Sequence, residues 1–272
     1  MTGQQRDAVY THGHQEPVLR SHSSRTVDDS AAYLKPELRP GLAVLDVGCG
    51  PGTITADLAG LVGPAGRVVA VDTSVEVLET AARFAAGRGL ANVVFEVADV
   101  HELPYADGEF DVVHAHQVLQ HVADPVAALR EMRRVTAEGG VVAVRDVDYA
   151  SMTWYPEAPE LERWLELYRD VARANGGEPD AGRRLLSWAR AAGFTEVTAT
   201  SSSWTFATPE QRAWWGGMWA DRIVGTGIAR TAVAEGFADR AELERIAAGW
   251  RAWAADGDGW FAMLHGEVLA RG

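Results

Sequence analysis

The sequence predicts an α/β protein built on a mostly parallel sheet with helices on both faces. Three observations carry this expectation. Apolar strand-like runs alternate with amphipathic helical runs before residue 150, a glycine-rich turn joins the first strand to the helix that follows it, and two alternating segments near residues 200 and 265 supply late strands.

Taken in order, the residues justify each element. AVLDVG at 43–48 reads as a buried strand running into CGPGT and then a helix with Ile54, Leu58 and Leu61 at helical spacing. RVVAVD at 67–72 is the second strand, and the helix after it carries Val75, Leu78, Ala82 and Ala85 before stopping at Gly87 and Gly89. VVFEVAD at 93–99 and FDVVHAH at 110–116 are the third and fourth strands. Asp124 and Pro125 then supply an N-cap and an N1 proline for a helix with Val126, Leu129, Met132 and Val135 on one face. VVAVRDVD at 141–148 is the fifth strand. Beyond it, helices end at Gly176-Gly177 and at Gly193, and TEVTATSSSWTF at 195–206 alternates as a sixth strand. A stretch from Pro209 to Trp253, interrupted at Gly216-Gly217 and Gly225–Gly227, reads as several short helices, and WFAMLHGEVLA at 260–270 closes as the last strand.

Composition narrows the function. The 272 residues are 47% hydrophobic and 23% charged, and no apolar run approaches the roughly 20 residues of a membrane span. The N-terminus is polar, with no apolar stretch behind a basic start, so a cytoplasmic location is expected. Cys49 is the only cysteine, which leaves an internal disulfide, an iron–sulfur cluster and a thiolate zinc site out of reach. A net charge of −13 with no basic run argues against nucleic acid. A second copy of the chain is a possible partner, and no metal is expected.

LDVGCGPGT carries the chemistry. Gly48, Gly50 and Gly52 let the backbone turn sharply and approach a ligand, and Asp72, ending the second strand, is placed beside the ribose of a nucleoside bound over that turn. A dinucleotide fingerprint needs glycine where Thr53 stands, and a phosphate loop needs a Gly-Lys-Ser/Thr ending that is absent. Asp46 disfavours a pyrophosphate but suits the ammonium of an amino acid, which points to S-adenosylmethionine (SAM).

VLDVGCGPGT, the VD at 71–72, VADVHELPYADGEFDVV and ALREMRRVTAEGG together resemble class I SAM-dependent methyltransferases, in particular the ubiquinone/menaquinone C-methyltransferase-like group. The resemblance runs from about residue 40 to 150. It implies a Rossmann-like fold with a seven-stranded sheet of order 3-2-1-4-5-7-6, the seventh strand antiparallel. It also implies an N-terminal helical cap over residues 1–40, a SAM-binding domain at 41–206 and 259–272, and a helical acceptor lid at 207–258. By position, Asp46, Gly48 and Gly50 would hold the methionine end, Asp72 the ribose hydroxyls, and Asp99 with Val100 the adenine, with Thr53 and Thr73 at the turns beside them. His116 and Gln117 would face the sulfonium and the methyl group, and S-adenosylhomocysteine (SAH) would be the product.

Alternatives remain open at this point: a SAM-binding regulatory module without turnover, and a nicotinamide-dependent oxidoreductase, which Thr53 and Asp46 disfavour. If a base is used, His116 is the best placed, with Tyr10, His12 and His14 of the N-terminal stretch as competitors if that stretch folds over the site. His114 is expected to pack or cap within the sheet and His121 to hydrogen-bond locally. Trp154, Trp215, Trp219 and Arg222 are the candidate acceptor contacts, although burial against the sheet is the usual fate of such aromatics. The expected acceptor is a small, largely apolar or aromatic metabolite, methylated at carbon, nitrogen or oxygen.

Overall fold

The computed structural model describes residues 25–272. Its apolar runs pair in parallel as β1 (Ala43–Val47), β2 (Arg67–Asp72), β3 (Val93–Val97), β4 (Phe110–His116) and β5 (Thr136–Val147). β8 (Trp260–Arg271) runs antiparallel to β5, and β7 (Glu196–Phe206) lies antiparallel along the whole of β8. The sheet order is therefore β3-β2-β1-β4-β5-β8-β7, with the last strand in sequence inserted as expected. One strand was not expected. β6 (Thr153–Tyr155) pairs with the start of β8, in register Trp154 with Phe261, and its three residues are too few to show a period.

Helices cover both faces. On one lie α1 (Val27–Ser30), the 3-10 turn after it and α2 (Thr53–Val62), burying Val27, Leu34, Ile54 and Leu58 against Val44, Val112 and Ala143. The other face buries Leu129, Met132 and Val135 of α4 (Pro125–Val135) and Leu185 and Ala189 of α6 (Leu185–Ala191) against Leu45, Val113 and Val144. The Asp124 carboxylate accepts from the Ala127 amide at 2.8 Å, and Ser74 caps α3 (Val75–Gly87) in the same way. Of the helical cap expected over residues 1–40, the described part holds two short pieces. Thr26 and Asp29 build a capping box for α1, and a 3-10 turn follows at Ala32–Glu37, because Pro36 has no amide to donate and pushes its predecessor out of the α region.

The tryptophan-rich half builds a core of its own. α5 (Pro159–Ala174), α7 (Pro209–Gly225), α8 (Gly227–Ala234) and α9 (Arg240–Ala255) enclose Trp164, Trp219 and Trp250, each 0% exposed. Trp164 meets the other two edge-to-face, with ring centroids 4.5 and 4.8 Å away, the geometry aromatic quadrupoles favour. Among the described residues no helix is long and apolar enough to cross a membrane.

Candidate functional site

At the C-terminal end of β1 the chain enters the left-handed region at Gly48, Gly50 and Gly52, with φ of +66°, +55° and +80°. Gly48 is required for a second reason: a Cβ there would meet Cγ2 of Val118 at 2.4 Å, so the loop after β4 rests directly on this turn. The Asp72 carboxylate ties the turn to β2, its Oδ2 accepting from the Gly50 amide and its Oδ1 from the Ser74 amide, both at 3.1 Å. Thr73 lies exposed at the rim, while Thr53 is buried at the start of α2. After β3, Val100 is buried and the Asp99 side chain stays 62% exposed. Partial burial would raise the Asp99 pKa, but the amide and ring of His101, each 2.8 Å from Oδ1, hold it below the ordinary value.

Asp46, at the end of β1, is held by protein partners. It is 3% exposed, Oδ1 lies 2.8 Å from Nδ1 of His114, and Oδ2 accepts from the Thr55 hydroxyl at 2.6 Å. Its carboxylate is thus committed to the protein on both oxygens and reaches a ligand through its field and remaining lone pairs. His114, expected to pack or cap, is its partner.

His116 ends β4, and Gln117 follows with φ of +56°, the one non-glycine residue among those described with positive φ. Such backbone persists only where its surroundings over-determine it. Here the Gln117 amide donates to the Arg145 carbonyl at 2.7 Å, its Oε1 accepts from Arg25 at 2.7 Å, and its Nε2 donates to Nε2 of His265 at 3.0 Å. The His116 ring faces a pair formed by Trp204 and His265, whose centroids are 5.9 and 6.4 Å from its own and 4.5 Å from each other. Neither of its buried ring nitrogens has a partner among the described residues. Burial first, then the charges of Arg25 and Arg145, hold its pKa well below the usual histidine value, so the imidazole is neutral.

Beside His116, four strands present a polar row, buried at His116, Arg145 and Glu267 and exposed at Thr200, that sequence reasoning missed. Arg145 is its register partner on β5, Glu267 follows on β8 and Thr200 on β7. Arginine inside VVAVRDV and glutamate inside GEVLA were the available signals, since charges on central strands are rare unless paired. Asp146, on the opposite face, accepts from the Gln120 amide at 3.1 Å and holds the loop that carries His121. Burial pushes Asp146 up to about 7 and His121 down to about 3, the charges of Arg25 and Arg222 adding to the latter shift.

Asp146 has a measurable consequence. The native state keeps its proton up to about pH 7 while the unfolded chain loses it near the ordinary carboxylate value, so Asp146 lowers stability as pH rises through that window. The stability advantage of Asp146→Asn over wild type, from urea midpoints, is expected to grow between pH 5 and 7 and level off above. A constant difference would contradict the shift.

The remaining candidates are distributed differently. Trp215 stacks on Phe206 at 4.2 Å, the partly buried Trp154 stacks on Phe261 at 6.0 Å, and Trp219 is fully buried, so all three pack against the aromatic core. Arg222 is buried, with its guanidinium 5.3 Å from the Trp219 ring, and its charge reaches His121. Tyr10, His12 and His14 lie outside the described residues.

A family model described as a methyltransferase domain matches residues 38–196. The chain belongs to the class I SAM-dependent methyltransferases. This methyltransferase is 33% identical, over 96% of its length and 95% of the relative's, to an uncharacterised methyltransferase of Schizosaccharomyces pombe. It is 34% identical to the ubiquinone/menaquinone biosynthesis C-methyltransferase UbiE of Ectopseudomonas mendocina, over 59% of this chain and 68% of that one. Among solved structures, the YcgJ protein of Bacillus subtilis superposes with a TM-score of 0.57 at 20% identity, covering 89% of this chain and 97% of that one. The residues present fit SAM: a turn that carries no side chain at Gly48 and Gly50, a strand-end carboxylate beside it, and an exposed Asp99 next to buried Val100.

Proposed function

We propose that this SAM-dependent small-molecule methyltransferase acts on a small, largely apolar or aromatic metabolite, and that His116 is the group that receives the acceptor's proton. The observation that carries this reading is the His116 imidazole: buried, neutral, without a partner on either nitrogen among the described residues, and one strand from the glycine turn. SAM supplies an electrophilic methyl group on a sulfonium. The chain's own residues do the rest. Gly48 and Gly50 cradle the methionine end, Asp72 takes the ribose hydroxyls, and Asp99 with Val100 takes the adenine. Gln117, braced by Arg25 and His265, holds His116 at the end of β4. Holding the reacting atoms in line in a water-poor pocket supplies much of the acceleration, and a neutral imidazole is in the right state to accept a proton.

Incubation with SAM and a panel of phenols, enols, indoles and arylamines tests this. SAH is expected from at least one aromatic hydroxyl or ring-carbon acceptor, with His116→Ala lowering kcat by about 100-fold or more and leaving SAM affinity within a few-fold. No SAH from any member, or an unaltered kcat in His116→Ala, would sink it.

A further inference from the structure

Arg145 is 0% exposed in the middle of the sheet, and its guanidinium is only partly used. Nε donates to Glu267 Oε1 at 3.2 Å and to the Ser202 hydroxyl at 3.3 Å, and Nη2 donates to the same hydroxyl at 3.1 Å. Nη1 is buried with no partner among the described residues. A buried guanidinium nitrogen without an acceptor is costly, and nothing in strand pairing requires one there. The hydroxyl of Tyr33, from the turn that covers this face, is also buried and without a partner among the described residues, and it feels the charges of both Arg145 and Glu267.

The position is informative. Arg145 is opposite His116 in register, and His116 belongs to the strand next to β1, so the Arg145 backbone lies two strand spacings, roughly 10 Å, from the glycine turn, and its guanidinium reaches from there over β8 toward Ser202 and the Trp204 ring on β7. β4, which carries His116, stands between the two.

We propose that Arg145 anchors the acceptor, its Nη1 and the Tyr33 hydroxyl together taking an oxygen of that molecule, and that Glu267 is the residue that positions Arg145. The proposal rests on the acceptor reading above and names the polar end of that acceptor.

Charge decides which acceptor suits this row. Glu267 balances Arg145, and its Oε2 also accepts from Thr200 at 3.0 Å. A ligand that enters neutral and donates its proton to His116 leaves the net charge of the row unchanged: the O–H bond breaks, its electron pair stays on oxygen facing Arg145, and the proton goes to the imidazole. An amine or a permanent cation is disfavoured. The unsatisfied groups are mainly donors, and the face of Trp204, the surface a cation would choose, is already occupied by Arg145 and Arg25, with Cζ atoms 4.9 and 5.6 Å from its centroid.

Calorimetry on the full chain saturated with SAH, with 2-naphthol and 2-naphthylamine as matched probes, tests the assignment without requiring turnover. Wild type is expected to bind 2-naphthol about tenfold more tightly than the amine. Tyr33→Phe should weaken 2-naphthol about fivefold to tenfold, the worth of one hydrogen bond, and Arg145→Lys, which keeps the charge but loses the fork, at least as much. Glu267→Gln, which keeps a hydrogen-bonding partner for Ser202 and Thr200, should reduce the preference for the oxygen probe. SAH affinity should stay within twofold in all three. Failure of wild type to bind or prefer 2-naphthol would overturn the assignment. So would variants that leave the preference intact, or losses shared equally by SAH and 2-naphthol, the mark of a purely structural ion pair. Absence of SAH formation in the acceptor panel, with the probe preference present, would instead count against the proposed reaction alone.

Discussion

Gly48→Ala is expected to lower SAM affinity by about 100-fold or more while the far-ultraviolet spectrum stays native. Two independent costs meet at this residue. Its φ of +66° lies where a Cβ costs roughly 1–2 kcal/mol, and the added carbon would stand 2.4 Å from Val118 Cγ2. The loop can relieve that overlap only by moving away from β4, which displaces the Gly50 amide from Asp72 and the Gln117–Val118 backbone from its seat. Gly89 provides the control. Its φ is +71°, yet nothing lies within 4 Å of where its Cβ would be, so Gly89→Ala should lose about 1 kcal/mol of stability and keep SAM affinity. Val118→Ala added to Gly48→Ala removes the offending methyl and should recover part of the binding. If both glycine variants bound SAM like wild type, the turn would not be the methionine cradle.

The parts of the fold that were legible in the sequence are those where one local signal decides. AVLDVG and RVVAVD carry unbroken apolar runs, Ala43–Leu45 and Val68–Val71, because parallel strands are covered on both faces, and Asp124-Pro125 announces its helix by capping chemistry alone. The glycine turn was legible for the same reason, since its spacing reflects backbone geometry rather than distant partners. The buried polar row was not. Arg145, Glu267, His265 and Tyr33 come from β5, β8 and the turn after α1, and only the antiparallel insertion of β8 beside β5 makes them neighbours. Asp46 shows the same limit in reverse: its residue type suggested a ligand contact, but whether its oxygens are open depends on His114 and Thr55. The tryptophans are ambiguous for a different reason. Periodicity says which residues share a helix face but not whether that face meets a cavity or another helix.

Trp164→Ala is the mutation expected to cost the fold most, and it decides between those two meanings of the aromatic cluster. The ring is 0% exposed, with Trp219, Trp250, Tyr149, Tyr168 and Phe261 all within 6.4 Å of its centroid. Truncation removes a large apolar side chain from a site walled by rings that cannot collapse, which costs about 3–5 kcal/mol. For a chain of this size that corresponds to a fall in Tm of roughly 10 °C, set against a net stability of about 5–15 kcal/mol. Trp164→Phe should be far milder, because the indole nitrogen has no acceptor among the described residues and phenylalanine removes that buried donor along with some volume. Trp260, 40% exposed, should tolerate alanine with a change of about 0.5 kcal/mol or less. Below its transition temperature the Trp164→Ala protein should bind SAM normally, since α5 does not contribute to the glycine turn. If Tm held while acceptor binding collapsed, the cluster would be a ligand pocket; the packing around Trp164 requires the opposite result.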